Sequence, residues 1–389
     1  MRKRLFHVVT LLLFLGPPSA SQAKNPESTN FADSIAVSIV EAINRNELEL
    51  AERTIEVQLR NDPKSLQWQF LHGMRYYAEL SAGVSPNKEA LARMKESLEK
   101  VIKIGEERLH RNPDDLAALF YAGGAYGYLG LARAAEGSLF SGVRSATRGF
   151  NMHEDLIKRC PQCYDAYLGP GAMNLMTSDA PRVLKPILWL FGLSGSAEKA
   201  YDYLSAAYEK GKLVRLEAGT YLAQLFERRK EFRRSSELYA ELIRQYPMRM
   251  GLRAESTSPL WADKRYDDVI ALADSAMRIF ESGKYSLTRG DSVSVVSILT
   301  GCASAYARKG DTTSAINLLE GALQKKEYET VGGWDIHSSL ARLYLRQNDT
   351  TEAIAHYEEV LSMELPEKTR KRIQETIERL SRSPNTVRP

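Results

Sequence analysis

The sequence is poor in cysteine, carries little excess charge of one sign, and has no long apolar run after its first residues. Three cysteines occur among 389 residues, which is too few for a small fold held together by disulfides. The formal net charge of +4 is smaller than the strongly basic charge that is usual for a general nucleic-acid binder. No later apolar run is long enough to span a bilayer. We therefore expect neither nucleic-acid binding nor integral insertion in a membrane.

Motifs of catalysis and metal binding are also missing. There is no HExxH, and no GxSxG surrounds any serine. The histidines after residue 23 show no pair at ligand spacing, and we expect His153, in a polar stretch, to be solvated. They are His72, His110, His153, His337 and His356. We predict a non-enzymatic protein with no catalytic residue, cofactor or metal; an enzyme or enzyme subunit of unrecognised type remains an alternative.

The glycines of the stretch AGGAYGYLG at 122–130 could suggest a phosphate-binding loop. Such a loop follows a strand and ends in Lys-Ser/Thr, and neither feature is present here. The glycines fall at positions where two helices pack closely. We therefore predict that they are packing residues and not a nucleotide site.

Residues 1–23 have the three parts of a secretory signal peptide. A basic MRKR start precedes an apolar segment at 8–15, and Ser21 and Ala23 are small residues at the positions that favour a cut after Ala23. The alternative is a buried N-terminal helix. We predict a signal peptide at 1–23, a flexible leader at 24–30, and a periplasmic or secreted protein for which peripheral association with the envelope stays open.

From residue 31 onwards apolar residues recur at helical spacing. The clearest unit is Glu217–Pro247, in which a polar turn at Arg228–Glu231 separates two apolar stripes. The stripes are Leu222, Ala223 and Phe226, followed by Ser235, Tyr239 and Leu242. Small residues let the two helices approach, and the aromatic residues fill the space beside them. This pattern is typical of the tetratricopeptide repeat, a helix-turn-helix of about 34 residues.

Similar patterns predict an all-α fold, an α-solenoid or superhelix of about eight helix-turn-helix repeats over 31–382. The first six hairpins are assigned to 31–63, 65–113, 114–161, 164–211, 217–247 and 251–283. The extra residues between the last two repeats are assigned to a loop at Tyr328–Gly333. A capping helix is predicted at 366–382 and a disordered tail at 383–389.

The chain as a whole resembles bacterial tetratricopeptide repeat proteins. In addition, DAYLG at 165–169 and the stretch at 181–207 resemble a segment of the eukaryotic tetratricopeptide repeat 39 (inclusion-body clearance) family. The resemblance implies a helical repeat fold that interacts with other proteins, and it brings no catalytic residues. Those proteins lack an export signal, so their cytosolic role is not expected here.

Cys160 and Cys163 form a CxxC pair at a turn between helices. Such a pair can be redox-active, half of a metal site or a local disulfide. The βαβ context of a thioredoxin-like site and the additional ligands of a zinc site are both missing. A disulfide and a pair of reduced cysteines remain the main alternatives. We expect Cys302 to be buried and unpaired.

The apolar insertion at 181–193 is too short to cross a membrane and is interrupted by Pro186. We expect it to be part of the core. An exposed docking patch or a membrane-surface contact is the alternative. The insertion could also form a binding site for a small ligand such as a glycan or lipid fragment.

One pattern predicts a binding surface. Arg228, Arg308 and Arg346 fall at the same late position of three first helices, and Trp261 replaces the arginine in the sixth repeat. Guanidinium groups on successive ridges could bind the carboxylates of an acidic peptide. Alternatively, each arginine is a solvated helix end that complements the helix dipole. The leading hypothesis is an interaction scaffold that holds a protein or acidic peptide in its concave groove.

Overall fold

Almost all of the described chain folds into α-helices, as the periodicity predicts. The computed structural model describes residues 31–81, 87–178, 180–282 and 289–382. The predicted signal peptide, leader and tail lie outside these residues. The first nine helices are α1 (Ser34–Asn44), α2 (Leu48–Asn61), α3 (Leu66–Ser81), α4 (Lys88–Arg111), α5 (Leu116–Ala135), α6 (Leu139–Arg159), α7 (Leu168–Ser178), α8 (Lys185–Leu190) and α9 (Ala197–Lys210). The others are α10 (Arg215–Arg228), α11 (Phe232–Gln245), α12 (Met250–Ala262), α13 (Tyr266–Glu281), α14 (Arg289–Arg308), α15 (Thr312–Leu323), α16 (Lys326–Arg346), α17 (Thr350–Ser362) and α18 (Glu367–Arg382).

Consecutive helices pair into hairpins, and the hairpins stack into an α-solenoid. Apart from α8, an insertion between α7 and α9, the helices from α1 to α17 form the eight predicted pairs, and α18 packs on α17 as the cap. The first helices of neighbouring hairpins also contact each other: α1 contacts α3, and α12 contacts α14. Each hairpin therefore buries the apolar side of the next one, which a single hairpin could not do alone.

Short turns with one residue in the left-handed region close several hairpins. Asn46, Lys230 and Asn348 have φ of 64°, 61° and 60°, and Gly310 takes the same place with φ of 88°. The predicted turn at Arg228–Glu231 contains Lys230 and separates α10 from α11. Aspartate caps support the next helices, since Asp311 and Asp349 accept hydrogen bonds from backbone N–H groups of α15 and α17.

The region Tyr328–Gly333 is helical, and the predicted loop there is wrong. It forms the start of α16, which bends at Gly332 where φ is −147° and ψ is 15°. A Cβ atom on Gly332 would lie 2.4 Å from Cγ1 of Val296, on α14. The extra residues therefore lengthen the helix and bring it against α14 instead of forming a connection.

Helices α5 and α6 approach closely because glycines face each other across their interface. A Cβ atom on Gly149 would lie 2.4 Å from the carbonyl oxygen of Gly123, and one on Gly130 would lie 2.8 Å from the backbone nitrogen of Ala146. The interpretation of 122–130 as packing residues is confirmed. No side chain other than hydrogen fits at these crossings without moving a backbone.

The first hairpin also contacts the fifth and seventh. Nδ2 of Asn46 donates a hydrogen bond to Oδ2 of Asp291 at 3.4 Å. The hydroxyl of Tyr246 donates to Oε1 of Glu41 at 3.2 Å. The superhelix therefore curves far enough for its N-terminal end to meet its middle, and the concave side becomes a partly enclosed cavity.

Candidate functional site: a cavity on the concave face

A cavity of about 410 Å³ lies inside this curve. Its lining comes mainly from the first helices of seven hairpins, namely α1, α3, α5, α7, α10, α12 and α14. The volume falls within the range of about 300–1,000 Å³ that is usual for ligand sites. The cavity exists because the hairpins stack in a curve and because the first hairpin meets the later ones.

One wall of the cavity is apolar and aromatic. It includes Phe70 and Met74 of α3, Tyr128 of α5, Phe150 of α6 and Met173 of α7. The Tyr128 ring lies 6.2 Å from that of Phe70 and 4.7 Å from that of Tyr77, which also lines the cavity. Burial raises the pKa of Tyr77 and of Tyr128 above the usual tyrosine value, so both hydroxyls stay protonated.

Another part of the lining, here called the polar wall, contains Glu217 at the start of α10 and Arg249 just before α12. Burial raises the pKa of Glu217, and the charge of Arg249 opposes this shift only in part. Burial likewise lowers the pKa of Arg249, against the charge of Glu217. The two groups sense each other, but neither satisfies the hydrogen-bonding capacity of the other.

Three polar atoms of this wall have no hydrogen-bond partner within the described part of the chain. They are Oε2 of Glu217, Nε of Arg249 and Oδ1 of Asn44, a residue that is 3% exposed at the end of α1. Buried polar atoms without a partner are rare in folded proteins, because each costs about 1–3 kcal/mol. Their meeting in one cavity marks this wall as the candidate binding surface.

His153 also borders the cavity, and the expectation that it is solvated is wrong. It is 6% exposed, its Nε2 lies 2.9 Å from the carbonyl oxygen of Phe120, and its ring stacks on the Phe120 ring at 5.7 Å. Cβ atoms on Gly123 and Gly169 would both clash with its ring, so glycines make room for it. Burial lowers its pKa. His153 is therefore a packed neutral imidazole that donates to a backbone carbonyl.

The predicted arginine positions lie at helix ends and do not line the cavity. Arg228, Arg308 and Arg346 are the last residues of α10, α14 and α16. All three are exposed, and Nη1 of Arg228 also donates to the carbonyl oxygen of Leu175 in α7 at 2.5 Å. The common position agrees with the alternative of cationic helix ends. The acidic-peptide stripe stays a prediction that this geometry does not favour.

Trp261, proposed as the aromatic member of the same surface, is half-buried near the end of α12. Its Nε1 lies 3.3 Å from the carbonyl oxygen of Gly301, to which it donates, and its ring meets Tyr266 edge-on at 4.9 Å. These contacts join α12 to α13 and α14. Trp261 therefore has a packing role that the repeat pattern alone did not reveal.

Two histidines that are 19 residues apart in the sequence lie in contact within the last hairpin. Nδ1 of His337 in α16 lies 2.8 Å from Nδ1 of His356 in α17, a contact that the search for ligand spacing along the sequence did not reveal. Burial lowers the pKa of each, and the neighbouring imidazole lowers that of His356 further. Among the residues that the structure describes, no group of three His, Cys, Asp or Glu side chains could hold a metal ion.

A disulfide joins Cys160 and Cys163, whose Cα atoms are 5.5 Å apart, at the end of α6. The two cysteines are 1% and 4% exposed. Cys302 is a free, buried cysteine, and burial raises the pKa of its thiol to about 12. A buried, protonated thiol is a poor nucleophile, so Cys302 acts as a small apolar core residue.

The insertion at 181–193 is exposed, and the expectation that it is core is wrong. Val183, Trp189 and Leu190 are 77%, 78% and 67% exposed. The helix within it, α8, is short: Pro186 lies in its first turn, and Gly192 follows its end with φ of 71°. The insertion contributes nothing to the cavity lining. In the described segments, no helix has the length and apolarity needed to cross a bilayer.

Residues 336–371 match the family model described as tetratricopeptide repeat. This segment comprises most of α16, all of α17 and the start of α18. No curated protein matches the sequence. The more specific resemblance of 165–169 and 181–207 to the tetratricopeptide repeat 39 family therefore finds no support.

Among solved structures, the chain is similar to yeast Tom70 (17% identity, TM-score 0.45, covering 82% of this chain and 64% of that one). It is similar to the APC/C hetero-tetramer Cut9–Hcn1 (14% identity, TM-score 0.48, covering 86% and 52%). It also resembles the human IFIT1 dimer with m7Gppp-AAAA (15% identity, TM-score 0.35, covering 90% and 86%). The chain spans less than two thirds of the Tom70 and Cut9–Hcn1 chains, and likeness at these scores says nothing about partners.

Proposed function

We propose that this α-solenoid, whose residues 336–371 match the tetratricopeptide repeat model, is an exported, non-enzymatic binding protein whose concave cavity holds a short segment of a partner protein. The observation that carries the proposal is the meeting of Glu217, Arg249 and Asn44 in one wall, each with a polar atom that lacks a hydrogen-bond partner among the described residues. A bound segment would supply those partners.

An extended peptide matches both walls of the cavity. Its backbone N–H groups can donate hydrogen bonds to the side-chain oxygens of Glu217 and Asn44. Its carbonyl oxygens can accept a hydrogen bond from Arg249. An apolar side chain of the same segment would pack against Phe70, Tyr128 and Met173. At about 410 Å³ the space admits a chain end or a few residues and not a folded domain.

A small amphipathic molecule is the second candidate ligand. The contacts of Tyr246 with Glu41 and of Asn46 with Asp291 bring the first hairpin against the later ones. This closure of the superhelix favours a small ligand because it limits the room for a long chain. The earlier hypothesis placed such a ligand at 181–193. The division of the cavity into an apolar and a polar wall makes the cavity the better place for it.

Export and the absence of nucleic-acid binding are parts of the same proposal. The N-terminal basic and apolar segments, followed by the small residues Ser21 and Ala23, support export. The net charge of +4 supports a partner other than nucleic acid. Fractionation of cells that produce the protein would test the location, and a loss of residues 1–23 from the exported form would test the cut.

Site-specific photocrosslinking tests the binding proposal. A photoreactive phenylalanine analogue at Tyr221, which lines the cavity, should trap one partner in the cell envelope. The same analogue at Tyr357, a half-buried residue of α17 outside the cavity lining, should not. Equal trapping from both positions would contradict the use of the cavity. A small molecule seen by native mass spectrometry, with nothing trapped, would favour the second candidate.

A further inference from the structure

We propose that the insertion around α8 is a docking surface for an anionic membrane, separate from the cavity. The four most exposed large apolar side chains in the described chain are Trp189, Val183, Leu190 and Phe140, at 78%, 77%, 67% and 58%. The next, Leu50, is 48% exposed. We call these four residues the apolar patch.

Phe140 lies against the insertion that carries the other three residues. Phe140, in the first turn of α6, contacts Phe191 of the insertion edge-on, with ring centroids 5.1 Å apart. The insertion is fixed at both ends, since Ala180 and Leu193 are each 8% exposed. Leu193 N–H donates to the carbonyl oxygen of Leu188 at 2.9 Å after the turn at Gly192. A hydrogen-bonded turn therefore fixes the insertion, and its apolar side chains stay exposed to water although that exposure is unfavourable.

Cations lie among the residues of the patch. Within the insertion at 181–193 the charged residues are Arg182 and Lys185, and α6 carries Arg144 and Arg148 after Phe140. The acids Glu136, Glu154, Asp179 and Glu198 adjoin these two segments, and Glu136 pairs with Lys95 at 3.0 Å. Arg148 pairs with Glu106, but no ion pair involving Arg144, Arg182 or Lys185 occurs among the described residues. Arg144 follows Phe140 by one helical turn, so both point to the same side of α6.

This combination fits a lipid surface better than a protein groove. Tryptophan and leucine side chains enter the region between headgroups and acyl chains, while lysine and arginine meet anionic headgroups. Arg182 and Lys185 lie within the insertion and Arg144 lies one helical turn after Phe140, and their like charge complements an anionic layer. A six-residue helix with Pro186 at its start lies on such a surface and does not span it.

Flotation with lipid vesicles tests the proposal on the full chain. Vesicles that contain phosphatidylglycerol should bind the protein, and phosphatidylcholine vesicles should bind it much less. Replacing Trp189 and Leu190 together by serine should lower the partition coefficient at least about tenfold. Replacing Arg182 and Lys185 by glutamine should lower it about fivefold for each cation, and added salt should reduce the remaining difference.

A matched control uses the other exposed tryptophan. Trp334 in α16 is 39% exposed and lies far along the chain from the patch. Trp334→Ser should leave vesicle binding unchanged, and because every variant carries residues 1–30, that segment contributes equally to each. Thermal unfolding of each variant should match the wild type, since the four patch side chains are largely exposed.

Two results would overturn the proposal. One is equal vesicle binding by the wild type and the Trp189→Ser, Leu190→Ser variant. The other is a wild-type protein that self-associates or captures a purified envelope protein through the patch while ignoring anionic vesicles. Photocrosslinking from Tyr221 in the cavity is independent of either result, so failure of the membrane surface does not decide the cavity ligand.

Discussion

The hydroxyl of Tyr246 donates a hydrogen bond to Oε1 of Glu41, at 3.2 Å, across 205 residues of sequence. Tyr246 follows α11 and Glu41 lies in α1, so the bond joins the fifth hairpin to the first. Together with the bond from Asn46 to Asp291 it closes the curve around the cavity. The shape of the candidate site therefore depends on the curvature added by every hairpin between them.

Tyr246→Phe should loosen this closure. The ring of Tyr246 is buried, so its packing remains, and only the hydroxyl is lost. We expect the free energy of unfolding to fall by about 1 kcal/mol. Amide hydrogen exchange in α1 should become faster, and the radius of gyration in solution scattering should increase.

Tyr344→Phe is the matched control for that variant. The Tyr344 hydroxyl donates to Glu320, which lies in the neighbouring hairpin and only 24 residues away in sequence. This hydrogen bond therefore joins adjacent hairpins and does not close the superhelix. The control should lose similar stability without changing the radius of gyration or exchange in α1. If Tyr246→Phe behaves in the same way as the control, the closure does not depend on the Tyr246 hydroxyl.

Gly149→Ala should separate α5 from α6. A Cβ atom there would lie 2.4 Å from the carbonyl oxygen of Gly123, a backbone atom that cannot rotate away. We expect a loss of about 1–3 kcal/mol in the free energy of unfolding by urea. Gly127→Ala in α5 is the control, because nothing lies within 4 Å of its Cβ position. That change should raise stability by about 0.5–1 kcal/mol, since alanine favours helix.

The sequence predicts the hairpins well because each hairpin is coded locally. Small and aromatic residues recur within each pair, as Ala223 and Tyr239 do, and Asn348 or Gly310 marks a turn. The cavity is not local: Asn44, Glu217 and Arg249 come from three hairpins and meet only through the accumulated curvature. No periodicity records that curvature, so these residues were missed.

Two further features escaped the sequence for the same reason. Apolar composition at 181–193 predicts burial, but whether a segment is covered depends on which other helices pack on it. His337 and His356 are far apart in sequence, and their contact follows from the antiparallel pairing of α16 with α17. The repeat pattern predicts that α16 and α17 pair. It does not predict which of their side chains meet in the interface between the two helices.

Labelling of thiols should distinguish the oxidised from the reduced CxxC pair. In the native protein none of the three cysteines should react, because all are buried. Unfolding without reductant should expose Cys302 alone, and unfolding with reductant should expose all three. Closing so short a loop contributes about 2 kcal/mol in the chain-entropy treatment, so reduction should lower the free energy of unfolding by about that amount. Three reactive thiols without reductant would show a reduced pair.

Stability should fall as the pH drops through the range in which histidines titrate. Burial lowers the pKa of His153, His337 and His356 in the folded state. The unfolded chain then binds more protons, so the free energy of unfolding is highest above the unfolded value of about 6.5 and decreases below it. Replacing both His337 and His356 by glutamine should flatten this slope in pH-dependent urea unfolding.

His110→Gln provides the control for the histidine pair, because His110 is exposed in the last turn of α4. It should leave the pH dependence as in the wild type. An unchanged slope in the double variant would mean that the close imidazole contact makes no difference to proton binding.

Glu217→Gln should stabilise the free protein and weaken binding of its ligand. Burial raises the pKa of Glu217, so the folded state binds this proton more tightly than the unfolded state. Stability from this group is present below the ordinary glutamate value of about 4.3 and is lost as the pH rises through the folded value. Glutamine removes the charge, and we expect a gain of about 1 kcal/mol at neutral pH.

The control for Glu217→Gln is Glu237→Gln on the surface of α11, where Glu237 pairs with Arg233 at 3.0 Å. Loss of such an exposed pair changes stability by less than about 0.5 kcal/mol. Crosslinking from Tyr221 should persist in the control and disappear in Glu217→Gln. A Glu217→Gln protein that is no more stable and still traps its partner would mean that the carboxylate is not part of the binding wall. A gain in stability together with loss of trapping is expected if the cavity keeps a buried carboxylate oxygen without a hydrogen-bond partner for its ligand.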